Sequence, residues 1–175
     1  GMSEIEIGAD TIKIGALVTQ SDIIDHAALA DVAPILREAA LQIADPQVRY
    51  MGTLGGNIAN GDPGNDMPGL MQCLAASFTV VGQNGERVIP AREFYEAAYV
   101  TAREDGEVLT AVTIPRPKGG YAYEKQKRKI GDYATAAASV QIVNDDGKCV
   151  SAAIAMTNLS DTPVFSKTAG DALVG

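Results

Sequence analysis

Six glycines and two prolines fall between Tyr50 and Gly69: Gly52, Gly55, Gly56, Gly61, Gly64 and Gly69, with Pro63 and Pro68. No other feature of the chain restricts its fold as much. Glycine loses more backbone freedom on folding than any other residue, and proline removes a donor and fixes φ, so both weaken helix and strand interiors. The segment reads as a long structured loop with special backbone needs, and regular elements must lie on either side of it.

On its N-terminal side, Ile5 to Ala9 and Thr11 to Leu17 alternate like two paired short strands. Ser21 and Asp22 offer an N-cap for a short helix from Asp22 to Leu29. A second helix is expected from Val32 to Ala44, capped by Asp31, with Pro34 in its first turn and Ile35, Leu36, Ala39, Ala40 and Ile43 on its buried face. Asp45-Pro46 ends it. Beyond the glycine segment, Gly69 to Ala76 resumes a helical pattern. Phe78 to Gly82 and Glu86 to Pro90 form a hairpin around Asn84-Gly85, a strong turn signal. A short helix over Ala91 to Ala97 and a strand over Val108 to Ile114 follow. Pro115 to Gly120 is the candidate linker. After it, Tyr121 to Lys127, Ala134 to Val143 and Cys149 to Asn158 read as a meander that turns at Asp145-Asp146-Gly147, and Thr168 to Leu173 can start a helix. Hairpins joining most strands make the class α+β with antiparallel sheets and flanking helices.

Chemistry concentrates in Thr53-Leu54-Gly55-Gly56-Asn57. Adjacent glycines allow positive φ and bare main chain, and successive N–H groups in such a turn make a nest for anions. The spacing is neither G-x-G-x-x-G nor a P-loop, so neither a dinucleotide fingerprint nor a Walker site is supported. A turn that serves only the fold is the competing reading. Asp62, Asn65 and Asp66 follow. One carboxylate beside a phosphate nest can accept ribose or ribityl hydroxyls, whereas Asx-turn duty is the commoner fate of such residues. A calcium loop fails on spacing. Lys125, Lys127, Arg128 and Lys129, interleaved with Tyr121, Tyr123 and Tyr133, read as a phosphate or acidic-partner site, or as a solvated strand face. Cys73 reads as a small buried hydrophobe and His26 as a helix-end residue.

Composition removes other classes. Lys plus Arg is 14 against 22 Asp plus Glu, a formal charge of −8, which argues against a nucleic-acid binder. Hydrophobic residues make up 46%, too many for a disordered chain, and no apolar run is long enough for a membrane span. With two cysteines and one histidine, neither a disulfide framework nor a zinc site is expected, and no Ser-His-Asp or Cys-His constellation can be assembled. No leader is evident, so a cytoplasmic location is the default. Any catalysis would then rest on a cofactor's chemistry.

The run Gly52-Thr53-Leu54-Gly55-Gly56-Asn57-Ile58-Ala59-Asn60, followed by Pro63, Asp66 and Pro68, resembles the flavin-binding subunit of molybdenum hydroxylases, the family of xanthine dehydrogenases and aerobic carbon monoxide dehydrogenases. The resemblance continues through Gly106-Glu107-Val108-Leu109 and Ile114-Pro115. It is strongest over Tyr121 to Ala134, where it looks most like the medium subunit of carbon monoxide dehydrogenase. It implies an FAD-binding subdomain over residues 1–117 and the start of a flavoprotein C-terminal antiparallel sheet domain over 118–175. It implies FAD contacts at Thr53, Leu54, Gly55, Gly56, Asn57, Asp66, Leu109 and Lys125, with Tyr133 against the flavin ring. It further implies a large molybdenum subunit and a small iron–sulfur subunit as partners, with electrons passing through flavin to NAD or a quinone. No catalytic acid or base and no metal site is implied on this chain.

The family's first glycine-rich loop, of the A-G-G-x-S type, has no counterpart here, and the resemblance therefore covers the middle of a flavin subunit. The isolated chain is expected to bind FAD poorly or not at all, unless a separate N-terminal flavin-binding segment completes the site. The alternative is a cofactor-free binding or structural module that keeps the fold.

Overall fold

The computed structural model describes residues 1–175. In chain order the elements are β1 (Ile5–Ile7), β2 (Thr11–Gly15), α1 (Gln20–Asp25), α2 (Ala27–Val32), α3 (Pro34–Leu41), α4 (Pro46–Met51), α5 (Leu54–Ala59), α6 (Asp66–Cys73), β3 (Ser77–Gly82), β4 (Gly85–Pro90), β5 (Tyr95–Ala97), β6 (Val100–Thr101), β7 (Val108–Pro115), β8 (Gly120–Gln126), β9 (Ala136–Asp145), β10 (Lys148–Thr157), β11 (Val164–Phe165) and α7 (Lys167–Asp171). A five-stranded sheet has the order β1-β2-β7-β3-β4, a four-stranded sheet the order β11-β10-β9-β8, and β5 and β6 form a small ribbon. Every pairing is antiparallel. The α+β reading holds.

The first sheet is closed by long-range pairing, because β7 enters between β2 and β3 with Ile14 opposite Val112 and Phe78 opposite Val112 on its other edge. Alternation in β2 sends Ile12 and Ile14 fully into the core. Phe78, Phe94 and Tyr95 meet edge to face, with centroids 4.8 Å apart for the first two and 5.2 Å for the last two. Burying Phe94 this way leaves only a 3₁₀ turn over Ala91–Glu93 before β5, so the expected helix over Ala91 to Ala97 does not form. In the second sheet, Asp146 and Gly147 take φ of +47° and +78° between β9 and β10, the mirror-type turn that matches strand twist.

The glycine segment is only partly a loop: α4 ends in it, α5 lies within it and α6 begins in it, while residues 60–65, with Gly61, Pro63 and Gly64, connect α5 to α6 as a loop. Side-chain caps make this affordable: Asp45 accepts the Val48 N–H at 2.9 Å and Thr53 accepts the Gly56 N–H at 3.0 Å. Pro46 and Pro68 lie in first turns, where a missing N–H costs nothing. The helix therefore begins at Asp66 and not at Gly69, and every residue of α6 is buried, with β9 and β10 on one side and α3 and α5 among its other neighbours.

The upstream helices also depart from the sequence reading. Thr19, not Ser21 or Asp22, caps α1, in a reciprocal box with Asp22. His26 ends α1 and caps α2, its Nδ1 accepting the Leu29 N–H at 3.1 Å. The helix expected from Val32 to Ala44 is broken at Ala33, which Pro34 holds away from helical geometry at φ −146° and ψ 59°. Asp31 caps nothing.

Candidate functional site: a groove between the two sheets

A groove runs along the seam where α3, α4, α5 and the N-terminus of α6 face β8 and the loop that follows it. One arm, about 310 Å³, is lined by Ile43, Asn57, Asn65, Asp66, Lys125 and Tyr133, among others. The other, about 410 Å³, is lined by Gln20, Thr53, Gly56, Asn57, Asn60 and Asn65, among others. Ile43, Val48, Asn57 and Asn65 belong to both.

The floor of the first arm is a buried charge cluster. Lys125 Nζ donates to Asp66 Oδ2 at 2.9 Å and to the Gln42 carbonyl at 3.1 Å. The Tyr123 hydroxyl donates to Asp66 Oδ1. The Lys125 and Asp66 side chains are 1% and 5% exposed. Burial raises the Asp66 carboxyl above its ordinary range, and the Tyr123 hydrogen bond and the nearby ammonium groups of Lys125 and Lys127 offset only part of that rise. Burial first, and the neighbouring carboxylate second, push the Tyr123 phenol well up, so it stays a donor. Lys127 reaches Gln42 Oε1 at 3.1 Å, and Arg128 pairs with Asp132 at 3.0 Å. The basic run is therefore neither one anion patch nor one solvated face. Its first lysine is an internal bolt joining β8 to α3 and α6.

Thr53 to Asn57 do not form an anion nest. The Leu54 and Gly55 N–H groups donate to the Val18 and Ala16 carbonyls, at 2.8 and 2.9 Å. The Gly56 N–H is taken by the Thr53 side chain, and the Asn57 N–H by the Thr53 carbonyl at 3.0 Å. Neither glycine has positive φ. The two glycines differ in task. A Cβ on Gly55 would lie 2.5 Å from Ala16 Cβ and 2.7 Å from the Ala16 carbonyl oxygen, so Gly55 serves helix-to-strand packing. Gly56 is exposed, and a Cβ there would meet only the capping oxygen of Thr53, at 2.9 Å, so it presents bare backbone to the groove.

Of the residues singled out from the sequence, the groove gathers Thr53, Gly56, Asn57, Asp66, Lys125 and Tyr133. Leu54 and Leu109 are buried in the core and, with Gly55, line neither arm. Asp62 makes the Asx turn considered for it, accepting the Gly64 N–H at 2.9 Å, and its other oxygen accepts from the Tyr99 hydroxyl at 3.1 Å. The Tyr133 ring lies over Gly64, with 61% of the residue exposed. Cys73 is buried, its thiol pushed up to about 11 by burial, and takes no part.

Sequence reasoning missed Gln20, Ile43 and Val48. Gln20 and Ile43 are buried and Val48 is half-exposed, and their convergence arises from the α1–α3–α4 packing, which no local pattern announces. Asn65 does more than the turn duty expected of it. Its Nδ2 donates to the Asn57 carbonyl at 2.8 Å, and Asn57 Oδ1 accepts the Met67 N–H at 3.2 Å, so the two asparagines lock α5 to α6.

The fit to a flavin nucleotide can be tested on these atoms. The exposed Tyr133 face, the bare Gly56 backbone and the amide side chains suit a planar ring and a hydroxylated chain. Lys125 is the sole cation lining either arm and is already paired, so the groove offers little to neutralise a pyrophosphate.

Among known proteins, the family model described as the FAD binding domain in molybdopterin dehydrogenase matches residues 1–117, and that of the CO dehydrogenase flavoprotein C-terminal domain matches residues 121–175. The chain is 57% identical over 172 residues to the carbon monoxide dehydrogenase medium chain of Afipia carboxidovorans, covering 97% of this chain and 59% of that one. It is 42% identical over 168 residues to the medium chain from Hydrogenophaga pseudoflava, covering 94% and 58%. The solved structure of reconstituted CO dehydrogenase from Oligotropha carboxidovorans superposes with a TM-score of 0.96 at 56% identity, covering 99% of this chain and 62% of that chain. Quinoline 2-oxidoreductase from Pseudomonas putida superposes with a TM-score of 0.94 at 34% identity, covering 99% and 61%. The chain thus spans about three-fifths of the length of the relatives it matches. With both family models matched in order and the fold shared throughout, the chain belongs to the FAD-binding domain family of molybdopterin dehydrogenases.

Proposed function

We propose that this chain is the flavin-holding part of the medium subunit of a carbon monoxide dehydrogenase-type molybdenum hydroxylase. Residues 1–117 serve as the FAD-binding subdomain and 118–175 as the start of the C-terminal domain. The observation that carries the reading is the convergence of Thr53, Gly56, Asn57, Asp66, Lys125 and Tyr133 on one groove, although they are scattered over 81 positions of sequence. When bound, FAD supplies the redox chemistry, accepting electrons and passing them on.

The chain's own residues bind and orient. Tyr133 offers an aromatic face for the ring. Gly56 lets the nucleotide approach main chain without a side chain between. Thr53 holds the helix that carries Gly56. Asp66 and Lys125, neutralising each other, form a rigid polar wall. Leu54, Gly55 and Leu109 act from behind by packing. In this reading a large molybdenum subunit and a small iron–sulfur subunit deliver the electrons, the acceptor is NAD or a quinone, and the complex works in the cytoplasm. The large subunit selects the substrate.

Titration of FAD with the chain, read as quenching of flavin emission, tests the assignment. Weak but saturable quenching that is lost in Tyr133→Ala is expected. Quenching that Tyr133→Ala leaves unchanged would overturn it.

A further inference from the structure

Tyr123 carries an inference that deepens the flavin reading and rests on it. The residue is 4% exposed and lines neither arm of the groove. Its hydroxyl ends on Asp66, which does line the first arm. Tyr123 and Lys125 alternate with Glu124 on β8, so the pleat sends both side chains to one face of the strand. The hydroxyl of the first donates to Asp66 Oδ1, and the ammonium of the second donates to Oδ2 at 2.9 Å. A single donor would leave the carboxyl free to turn about its Cβ–Cγ bond. Two donors from one strand fix its plane.

Packing alone does not account for the trio. Apolar residues of similar volume often match or better a buried ion pair, and a buried phenol hydroxyl adds a desolvation cost that phenylalanine avoids. What the trio supplies and apolar residues cannot is a carboxylate of set orientation in the groove wall. A carboxylate only accepts, at about four lone-pair positions, and Tyr123 and Lys125 occupy two of them. The Asp66 side chain keeps 5% exposure, the opening through which a donor atom in the groove reaches the other two.

We infer that Tyr123 is a positioning residue for flavin binding: acting only through Asp66, it holds that carboxylate aimed into the groove, where it accepts a hydrogen bond from a donor group of the flavin. The charge on Asp66 depends on the same contact. Burial raises the Asp66 carboxyl, and the Tyr123 hydrogen bond opposes that rise more than the Lys125 or Lys127 ammonium does. Asp45, Asp132 and Tyr133 are the other titratable groups lining this arm. Without the Tyr123 hydroxyl, Asp66 takes up its proton at a higher pH, and a protonated carboxyl is a weaker acceptor.

The test compares the parent chain with Tyr123→Phe, Asp66→Asn and the double variant. The probe is riboflavin, an uncharged flavin whose ring and hydroxyls do not titrate near neutral pH, followed by quenching of its emission. In Tyr123→Phe, affinity at pH 8 should fall about 3–10-fold, the worth of one ordinary hydrogen bond. The further loss on acidification should set in at a higher pH than in the parent. In the Asp66→Asn background, Tyr123→Phe should leave the pH profile where it was, because no carboxyl remains for it to act through. Without flavin, the ¹³C resonance of the Asp66 carboxyl should show protonation at a higher pH in Tyr123→Phe than in the parent. A Tyr123→Phe chain with the parent's pH profile for riboflavin overturns the inference and leaves the flavin reading standing, and any loss of affinity or melting temperature in it is then structural. An Asp66 carboxyl that titrates identically in parent and variant overturns the inference whether or not flavin binds. Quenching that Tyr133→Ala leaves unchanged overturns the flavin reading and this inference with it.

Discussion

Lys125→Met is the most informative single change, because it removes one half of the buried charge cluster and keeps the length of the side chain. Lys125 and Asp66 are almost wholly out of water, 2.9 Å apart, and Asp66 keeps only the Tyr123 hydroxyl when the ammonium is gone. Breaking a buried pair by deleting one partner costs about 3–5 kcal/mol. In a chain of this size that lowers the melting temperature by about 6–20 °C, at ~2–4 °C per kcal/mol. The loss must depend on pH. Burial already raises the Asp66 carboxyl, and without Lys125 it rises further. A carboxyl raised in the folded state binds its proton more tightly there than in the unfolded chain. Its contribution is therefore most favourable below the unfolded value and declines as pH rises through the folded one. The variant should be worst near pH 8 and recover part of its loss near pH 5. Lys125→Met combined with Asp66→Asn should be more stable at pH 8 than Lys125→Met alone, since the stranded charge is gone. Urea unfolding followed by far-ultraviolet circular dichroism at both pH values reads all three. A loss under 1 kcal/mol at pH 8, a loss that does not change with pH, or strict additivity with Asp66→Asn would refute the argument.

Three further outcomes follow from other parts of the molecule. Gly55→Ala should destabilise the chain by about 1–3 kcal/mol in the same unfolding assay, because the new methyl meets the backbone of Ala16. Gly56→Ala should shift stability by less than about 1 kcal/mol, helix propensity offsetting a disturbed cap, yet weaken flavin binding in a fluorescence titration. Tyr133→Ala should leave the melting curve unchanged and abolish flavin quenching, since the ring is largely exposed. Glu107, bonded by the Arg87 guanidinium and the Glu104 N–H, has its carboxyl lowered from 4.5 to about 2. Its stabilisation is complete above the ordinary value and is lost as pH falls toward 2, so Glu107→Gln should flatten the acid limb of stability against pH.

What the sequence disclosed and what it hid follow a physical line. Turns are legible, since Gly85 in the β3–β4 hairpin and Asp146-Gly147 between β9 and β10 take positive φ, which few other residues adopt. Strands of alternating pattern were legible for the same local reason. The helices of the glycine segment escape a sequence reading because their support is not local. Thr53 caps α5, and the Leu54 and Gly55 N–H groups are held by carbonyls at Val18 and Ala16, more than thirty residues upstream. Pro34 begins α3 rather than sitting within a helix from Val32, because its effect falls on Ala33, the residue before it. In the groove, motif resemblance located Thr53, Asp66 and Lys125, but not that the last two pair, since 59 positions separate them. Gln20 left no trace at all in the sequence. A glutamine is usually exposed, and only the closure of α1 over Gly52 shows that this one is not.

The insertion of β7 between β2 and β3 also sets a timetable. The partner that completes β2 lies about 100 residues further along the chain. A ribosome adding about 5–20 residues per second needs roughly 5–20 s to make it. During that interval β1 and β2 exist as a two-stranded ribbon, which is marginal in water, with Ile12 and Ile14 uncovered and an open edge for stray strands. The nascent chain thus carries a sticky hairpin whose open edge its own sequence cannot cover until about 100 further residues have emerged, and holdase chaperones should engage that hairpin during synthesis and release it once Val108 to Pro115 appears.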